Sequence, residues 1–361
     1  MNPYVAVAAL VLLVGVMFTL PLVPALVELR RKSDALPLSV VQQNAGEIRH
    51  FANSFRTYIN SLEPIILNCV ASGTTDTGTL SDGENYVVLG RVDQALVRTL
   101  AERDPAHPVL VVSGVDLVVG PESTFSKDIY ARGQFEGGEN NSYRAILGER
   151  DVHLGRASRV LRWAHAVGEL TADFGCRLYG RVSSDLLIHL HADCSFLRVN
   201  APRIEIGPAS SNANRTPQNA SGCPPSSGTG PGTSPRFLHD GDFEVLAGET
   251  VRSNIVIRGN LHIHSGARVC GSVKSVKDMV IEDGVSVEGS VISARKMRIG
   301  PHCAIHGPVI AERALVLAAG THCGTMEYPT TVSAPEIEVE EGVVVFGTLW
   351  ARERGHVVAS L

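Results

Sequence analysis

The chain has 361 residues, with 32 Lys and Arg against 37 Asp and Glu, a formal net charge of −5. That balance excludes a nucleic-acid binder relying on a basic face, and a hydrophobic fraction of 44 % excludes a chain disordered throughout. Aromatics are only 5 % while glycines number 35, a composition of β-solenoids and of some α/β enzymes.

Residues 1–27 carry no charged side chain, and the apolar run from Tyr4 to about Leu26 is long enough to cross a bilayer. Arg30, Arg31 and Lys32 follow at once. A cleaved signal peptide would place its basic residues before the apolar run. The order here predicts a single-pass inner-membrane anchor with the soluble part in the cytoplasm. Residues 39–63 read as a helical neck, because Val41, Ala45, Ile48, Ala52, Phe55, Ile59 and Leu62 alternate spacings of four and three. Two roles fit: a short coiled coil with a second chain, or an amphipathic helix packed on its own domain. Pro64 ends the pattern, residues 71–85 read as a polar loop, and Val92–Arg103 reads as a further helix ended by Asp104-Pro105.

From residue 117 onward an 18-residue repeat governs the chain. Its clearest rows are Leu261-x-Ile263-x-x-Gly266-x-x-Val269-x-Gly271-x-Val273, Met279-x-Ile281-x-x-Gly284-x-x-Val287-x-Gly289-x-Val291 and Met297-x-Ile299-x-x-His302-x-x-Ile305-x-Gly307-x-Val309. Val245 lies one period earlier, and the register resumes at Ile337 after an insertion of about four residues. Upstream, Leu170, Gly175, Leu178, Gly180 and Val182 fit the template, as do Leu117, Phe135, Val152 and Ile188, and Ile206 begins a last row. Alternating apolar residues are the strand period. Glycines fall where a row turns a corner or where backbones approach closely. One row per turn, stacked at about 4.8 Å, predicts an all-β, single-stranded parallel β-helix of about twelve rungs, roughly 55 Å long. Its predicted core is Val245, Ile263, Val269, Ile281, Val287, Ile299 and Ile305. Its predicted corners are Gly266, Gly271, Gly284, Gly289 and Gly307.

Pro208–Arg236 holds six prolines, four glycines and six serines, and reads as a disordered loop. The 37 residues from Ile206 to Phe243 are about two periods, which favours one continuous coil with a side loop over two separate coils. The predicted division is therefore anchor 1–32, helical neck and polar loop 33–105, first coil half 106–207, loop 208–240, and second coil half 241–361.

The rows Gly259–Val273, Met279–Val291 and Met297–Val309 resemble the bactofilins, polymer-forming cytoskeletal proteins of bacteria, over about residues 243–350. The resemblance implies a right-handed coil, self-association end to end, and a place at the membrane. It carries no catalytic motif. The anchor, the helical region and the first coil half depart from that family. An N-terminal region covering one coil end would block symmetric stacking.

Three sets of residues could carry chemistry. His153, His189 and His262 share one outward repeat position, and His191 and His264 another, with acidic neighbours at ligand spacing scarce; they read as solvated surface. Seven scattered cysteines without a C-x-x-C pair read as reduced thiols, with Cys176, Cys194 and Cys303 at one small buried position. Arg162, Trp163, His165, Arg181 and Arg198 fall near one flank on successive rungs, a surface able to take an anionic or sugar ligand. An 18-residue coil also occurs in hexapeptide-repeat acyltransferases, but the six-residue identity is imperfect here. No phosphate loop, nucleophile elbow or H-E-x-x-H occurs. The expectation is a non-enzymatic membrane-anchored scaffold without cofactor or metal. Its expected partners are the membrane and further copies of itself, with polysaccharide or cell-envelope machinery as further candidates and nucleic acid excluded. The alternative is an enzyme or binding module of surface-polysaccharide metabolism.

Overall fold

The computed structural model describes residues 49–91, 94–102, 109–207 and 236–359, with the single positions Leu13, Met17 and Leu20. The expected span 4–26 lies outside the described residues apart from those three. Among the described residues no helix is long and apolar enough to cross a membrane.

The 18-residue period becomes hydrogen-bonded rungs. Leu261 pairs in parallel with Met279, and Met279 with Met297; upstream, Val152, Leu170 and Ile188 pair in the same way. The chain forms a parallel β-solenoid of about 12 turns. Leu315 pairs with Ile337, so the four-residue insertion is absorbed without loss of register. In the upstream half Ile188 pairs with Ile204, two residues earlier than the expected row start at Ile206.

The expected continuous coil is not what forms. The last strand of the first half, Ser195–Ile206, pairs antiparallel with the last strand of the second half, Val344–Val358. The two coils therefore meet tail to tail. Val199 faces Leu349, and one inward column runs through the junction. On one side it continues as Val182, Ala164, Ile146, Ile129 and Val111, and on the other as Val332, Val309, Val291, Val273 and Ile255. All of these are buried, and they belong to one unbroken core. Gly207 and Arg236 consequently stand seven rungs apart, about 34 Å. The 28 residues between them can span several times that distance. Periodicity kept across the loop was therefore coincidental, because a chain returning from the far end can re-enter at any phase.

Helix α1 (His50–Ile59) runs through a 3₁₀ turn (Asn60–Leu62) into α2 (Glu63–Ser72). Pro64 does not end the helical segment: it sits in the first turn of α2, where the missing N–H costs nothing. Ala52, Phe55, Ile59, Leu62, Ile66 and Cys69 form one buried stripe against the coil, packed with Val88, Val112, Tyr130, Leu147 and Trp163. The neck residues described here thus pack on their own domain; Val41, Ala45 and Ile48 lie outside the described residues. Residues 71–85 are not a loop throughout, since Thr75–Thr79 pairs antiparallel with Asn85–Leu89. The latter strand, expected in the neck region, is the first rung of the coil, parallel to Leu110–Ser113. The predicted further helix appears as α3 (Gln94–Glu102).

The seven predicted core residues are each at most 1 % exposed. The corner glycines serve two purposes. Gly266 and Gly284 adopt φ of +69° and +66° in open surroundings, conformations that cost an L-residue strain. Gly271, Gly289 and Gly307 have ordinary φ, but a Cβ there would meet the preceding rung; at Gly307 it would lie 2.5 Å from the Gly289 carbonyl carbon.

Candidate ligand groove and the ends of the coil

On one flank the strands Arg159–Ala166, Arg177–Ser184 and Ser195–Ile206 bend around a corner. Their register shifts between Val160 and Trp163, Leu178 and Arg181, and Phe196 and Arg198. The bulges push the intervening side chains outward, so Leu161 and Tyr179 are about half exposed. Directly after the bulges comes a row of register partners across four rungs: Trp163, Arg181, Arg198 and, over the tail-to-tail junction, Trp350. Helix α1 stands over this row and closes a groove of about 810 Å³, to which α1 contributes Phe51, Phe55 and Tyr58.

The row is well positioned. Trp163 is buried edge-on against Phe55, with ring centroids 5.5 Å apart. The Arg181 guanidinium lies 5.1 Å over the Phe51 ring, and that of Arg198 5.1 Å over the Trp350 ring. Among the described residues neither arginine pairs with a carboxylate. Burial, and then the neighbouring Arg181 charge, hold Arg198 below the ordinary arginine value. Its Nε is buried without a hydrogen-bond partner. The other end of the groove carries mixed charge, with Asp82, Glu84 and Asp128 among Lys127, Arg144 and Arg162. Tyr58 donates to Asp82 at 2.8 Å, Lys127 pairs with Glu84, and Arg144 Nε lies 3.4 Å from Asp128 Oδ1. Burial raises the Asp128 carboxyl, and its Oδ1 accepts no hydrogen bond.

Of the five residues expected on this flank, four line the groove and His165 does not. His165 is 2 % exposed on another part of its strand, with Nδ1 2.9 Å from Ser183 Oγ and Nε2 3.7 Å from Asp185. Burial lowers its basicity more than Asp185 raises it. Trp350 and the α1 aromatics were missed. The only signal for Trp350 was the junction, which the sequence does not announce.

The expected scarcity of acids near the outward histidines is overturned. His153 Nε2 lies 3.1 Å from Asp173, His189 Nδ1 lies 3.3 Å from Glu205, and His306 Nδ1 lies 3.4 Å from Glu288. Glu282 Oε1 stands 2.7 Å from His262 Nε2 and 3.2 Å from His264 Nδ1, while Glu244 is 3.2 Å from His264 Nε2. Each acid lies 16 to 20 residues along the chain, which is one rung away, a separation that local spacing rules overlook. Ser265, and then the histidines, hold Glu282 at about 2; the bond to Glu244 raises His264. Glu244, His262 and His264 have ligand atoms within 4.8 Å of one another and, among the described residues, form a group that could hold a metal ion.

Cys69, Cys176, Cys194, Cys303 and Cys323 are free and buried. Hydrogen bonding with Cys176 and burial raise the Cys194 thiol, and burial pushes Cys303 to about 11 and Cys323 to about 12, so these thiols are inert. Cys270 departs from the all-thiol expectation, being disulfide-bonded.

The coil has two unlike outer ends. The first rung is covered by the strand Thr75–Thr79, with α3 packed on the turn that follows. At the other end, among the described residues, Arg236–His239, Phe243–Val245 and Thr250–Val251 pair on one side only. The Phe237 and Phe243 rings meet there tilted by 48°, with centroids 4.9 Å apart, and Leu238 and Leu246 are 54 % and 65 % exposed. In comparisons with known proteins, no family model, no curated protein and no solved structure matches the chain.

Proposed function

We propose that the chain is a membrane-anchored, bactofilin-like scaffold, non-enzymatic and coiled right-handedly as in that family, which associates with a second copy through its exposed coil end. The observation carrying this reading is that end. Strand edges that are unpaired among the described residues, flanked by Phe237, Leu238 and Leu246, invite pairing with another chain. The opposite end is covered, so association stops at a pair instead of running on into a filament. The anchor at residues 4–26 fixes the pair at a membrane. Arg30–Lys32 favour the cytoplasmic side, whereas a disulfide at Cys270 favours an oxidising one; protease protection in sealed vesicles decides between them.

The test is light scattering and electron microscopy of the detergent-solubilised full chain. Dimers are expected, dissociating in a Leu238→Glu/Leu246→Glu variant that keeps its β signal. A strict monomer at all concentrations overturns self-association, and filaments overturn the single-interface form of the proposal. The polysaccharide-binding alternative is favoured by a separate observation, the Trp163–Arg181–Arg198–Trp350 row.

A further inference from the structure

The geometry points to a second property of this protein: we propose that the groove between α1 and the coil binds a short acidic oligosaccharide, a carboxylate of which is held by Arg181 and Arg198. It deepens the polysaccharide-binding alternative and stands independently of self-association.

The argument starts from unmet hydrogen bonds. Buried polar groups are almost always paired, so each exception calls for an explanation. One clear exception lines this groove: Arg198 Nε is a donor without an acceptor. Asp128 at the other end is ion-paired with Arg144 Nε at 3.4 Å but accepts no hydrogen bond at Oδ1, which leaves it able to take one from a hydroxyl. A ligand meeting both brings an anion or acceptor to Arg198 and a hydroxyl to Asp128, and an acidic sugar carries both groups.

Charge distribution selects further. Two guanidinium groups on adjacent rungs, about 4.8 Å apart at the backbone, repel one another and have no protein carboxylate between them. A bound carboxylate would relieve that repulsion and take the forked hydrogen bonds that guanidinium geometry favours. The opposite end presents Asp82, Glu84 and Asp128 among Lys127, Arg144 and Arg162, so its charges are mixed and its carboxylates can accept from hydroxyls. An oligosaccharide with a single carboxylate per unit and many hydroxyls suits that mixture, and the oligonucleotide in the titration below tests the polyanion. Partly exposed Phe51, Leu161, Tyr179 and Trp350 supply flat apolar surface for the C–H faces of pyranose rings. The Trp163–Trp350 row covers three rung spacings, about 14 Å, which sets a ligand of a few sugar units.

The groove exists only because the two coils meet tail to tail. Antiparallel pairing of Ser195–Ile206 with Val344–Val358 brings Trp350 beside Arg198, and Trp350 supplies the face on which that guanidinium lies flat. Stacking leaves the edge of the guanidinium free to bond.

The test is calorimetric titration of the solubilised full chain with tetragalacturonate, its methyl ester, neutral maltotetraose and a six-nucleotide oligothymidylate. Saturable binding of tetragalacturonate is expected, at least tenfold tighter than its methyl ester. Arg198→Gln, Arg181→Gln and Asp128→Asn should each weaken it at least tenfold, at an unchanged melting temperature. Arg298→Ala, on an exposed position of the second half, should leave it unchanged. The proposal is overturned by no binding of tetragalacturonate at millimolar concentration, by equal binding of ester and acid, by tighter binding of the oligonucleotide, or by affinity indifferent to Arg181 and Arg198. Monomeric protein that still binds would sink the self-association proposal and leave this one standing.

Discussion

The tail-to-tail junction makes a prediction that no continuous coil shares. Asn200 and Thr348 are register partners across it, and Asn200 Nδ2 donates to Thr348 Oγ1 at 2.9 Å. Paired antiparallel residues have Cα atoms about 4.5–5.5 Å apart, within the range that a disulfide bridges. In a head-to-tail coil with a side loop the same residues would lie about seven rungs, or 34 Å, from one another. The double variant Asn200→Cys/Thr348→Cys should therefore form an intramolecular bridge on mild oxidation, seen as one cross-linked peptide by mass spectrometry. Closing a loop of that length removes unfolded-state entropy worth about 5 kcal/mol. Losing the native side-chain bond costs about 1 kcal/mol, and engineered bridges deliver less than the ideal. A rise in Tm of about 5–10 °C over the reduced form is expected. The five free cysteines are buried and will not compete. Absence of the bridge when both thiols are otherwise reactive, or bridging only between molecules, would refute the junction and with it the origin of the groove.

Further outcomes follow from single residues. Ile281→Ala removes a side chain 1 % exposed in the stacked column and should cost about 2–5 kcal/mol by chemical denaturation. Gly266→Ala, strained only through its φ, should cost about 1–2 kcal/mol; Gly307→Ala, which drives a Cβ into Gly289, should cost more. Ala157→Gly, relieving a φ of +57°, should instead raise stability by about 1 kcal/mol or less, read by chemical denaturation. Burial lowers His165 and His322 below 6.5, so the unfolded chain takes up protons that the folded one refuses. Stability is then complete above pH 6.5 and declines as pH falls below it. A His165→Gln/His322→Gln variant should show a shallower decline between pH 6.5 and 5 in thermal melts.

Much of the architecture was legible because a solenoid writes its register into the sequence. Inward residues recur every 18 positions, so Ile263, Ile281 and Ile299 announce both strand and partner. The corners were legible where glycine marks them and obscure where another residue holds the same left-handed conformation, as His302, Ala157 and Asp193 do. The strand Thr75–Thr79 was unreadable, since Thr-Asp-Thr-Gly-Thr has turn composition and becomes a strand only against Asn85–Leu89. The groove was half legible. Arg162, Trp163, Arg181 and Arg198 share a flank by register alone, but α1 and Trp350 reach it through tertiary contacts that no period encodes. His165 was misplaced because the bulge after Val160 changes which side chains face outward.

The junction also explains why one end remains exposed. Each coil has a leading and a trailing edge, and every unpaired edge is a liability. Joined head to tail, two coils would hide one leading and one trailing edge. Joined tail to tail, they hide both trailing edges and leave two leading edges. The first leading edge is covered by the strand Thr75–Thr79; among the described residues the second, Arg236–His239, has no such cover. The internal junction demonstrates that ends built from these rungs can close by antiparallel pairing about a local two-fold, with the column passing unbroken from Val199 to Leu349. A second copy offers an identical leading edge, and isologous pairing about a two-fold closes after one contact. A dimer formed in this way would hold two grooves, each next to its own tail-to-tail junction and away from the contact itself. Substitutions at Leu238 and Leu246 should therefore dissociate the pair while leaving tetragalacturonate affinity unaltered, and substitutions at Arg181 and Arg198 should do the reverse.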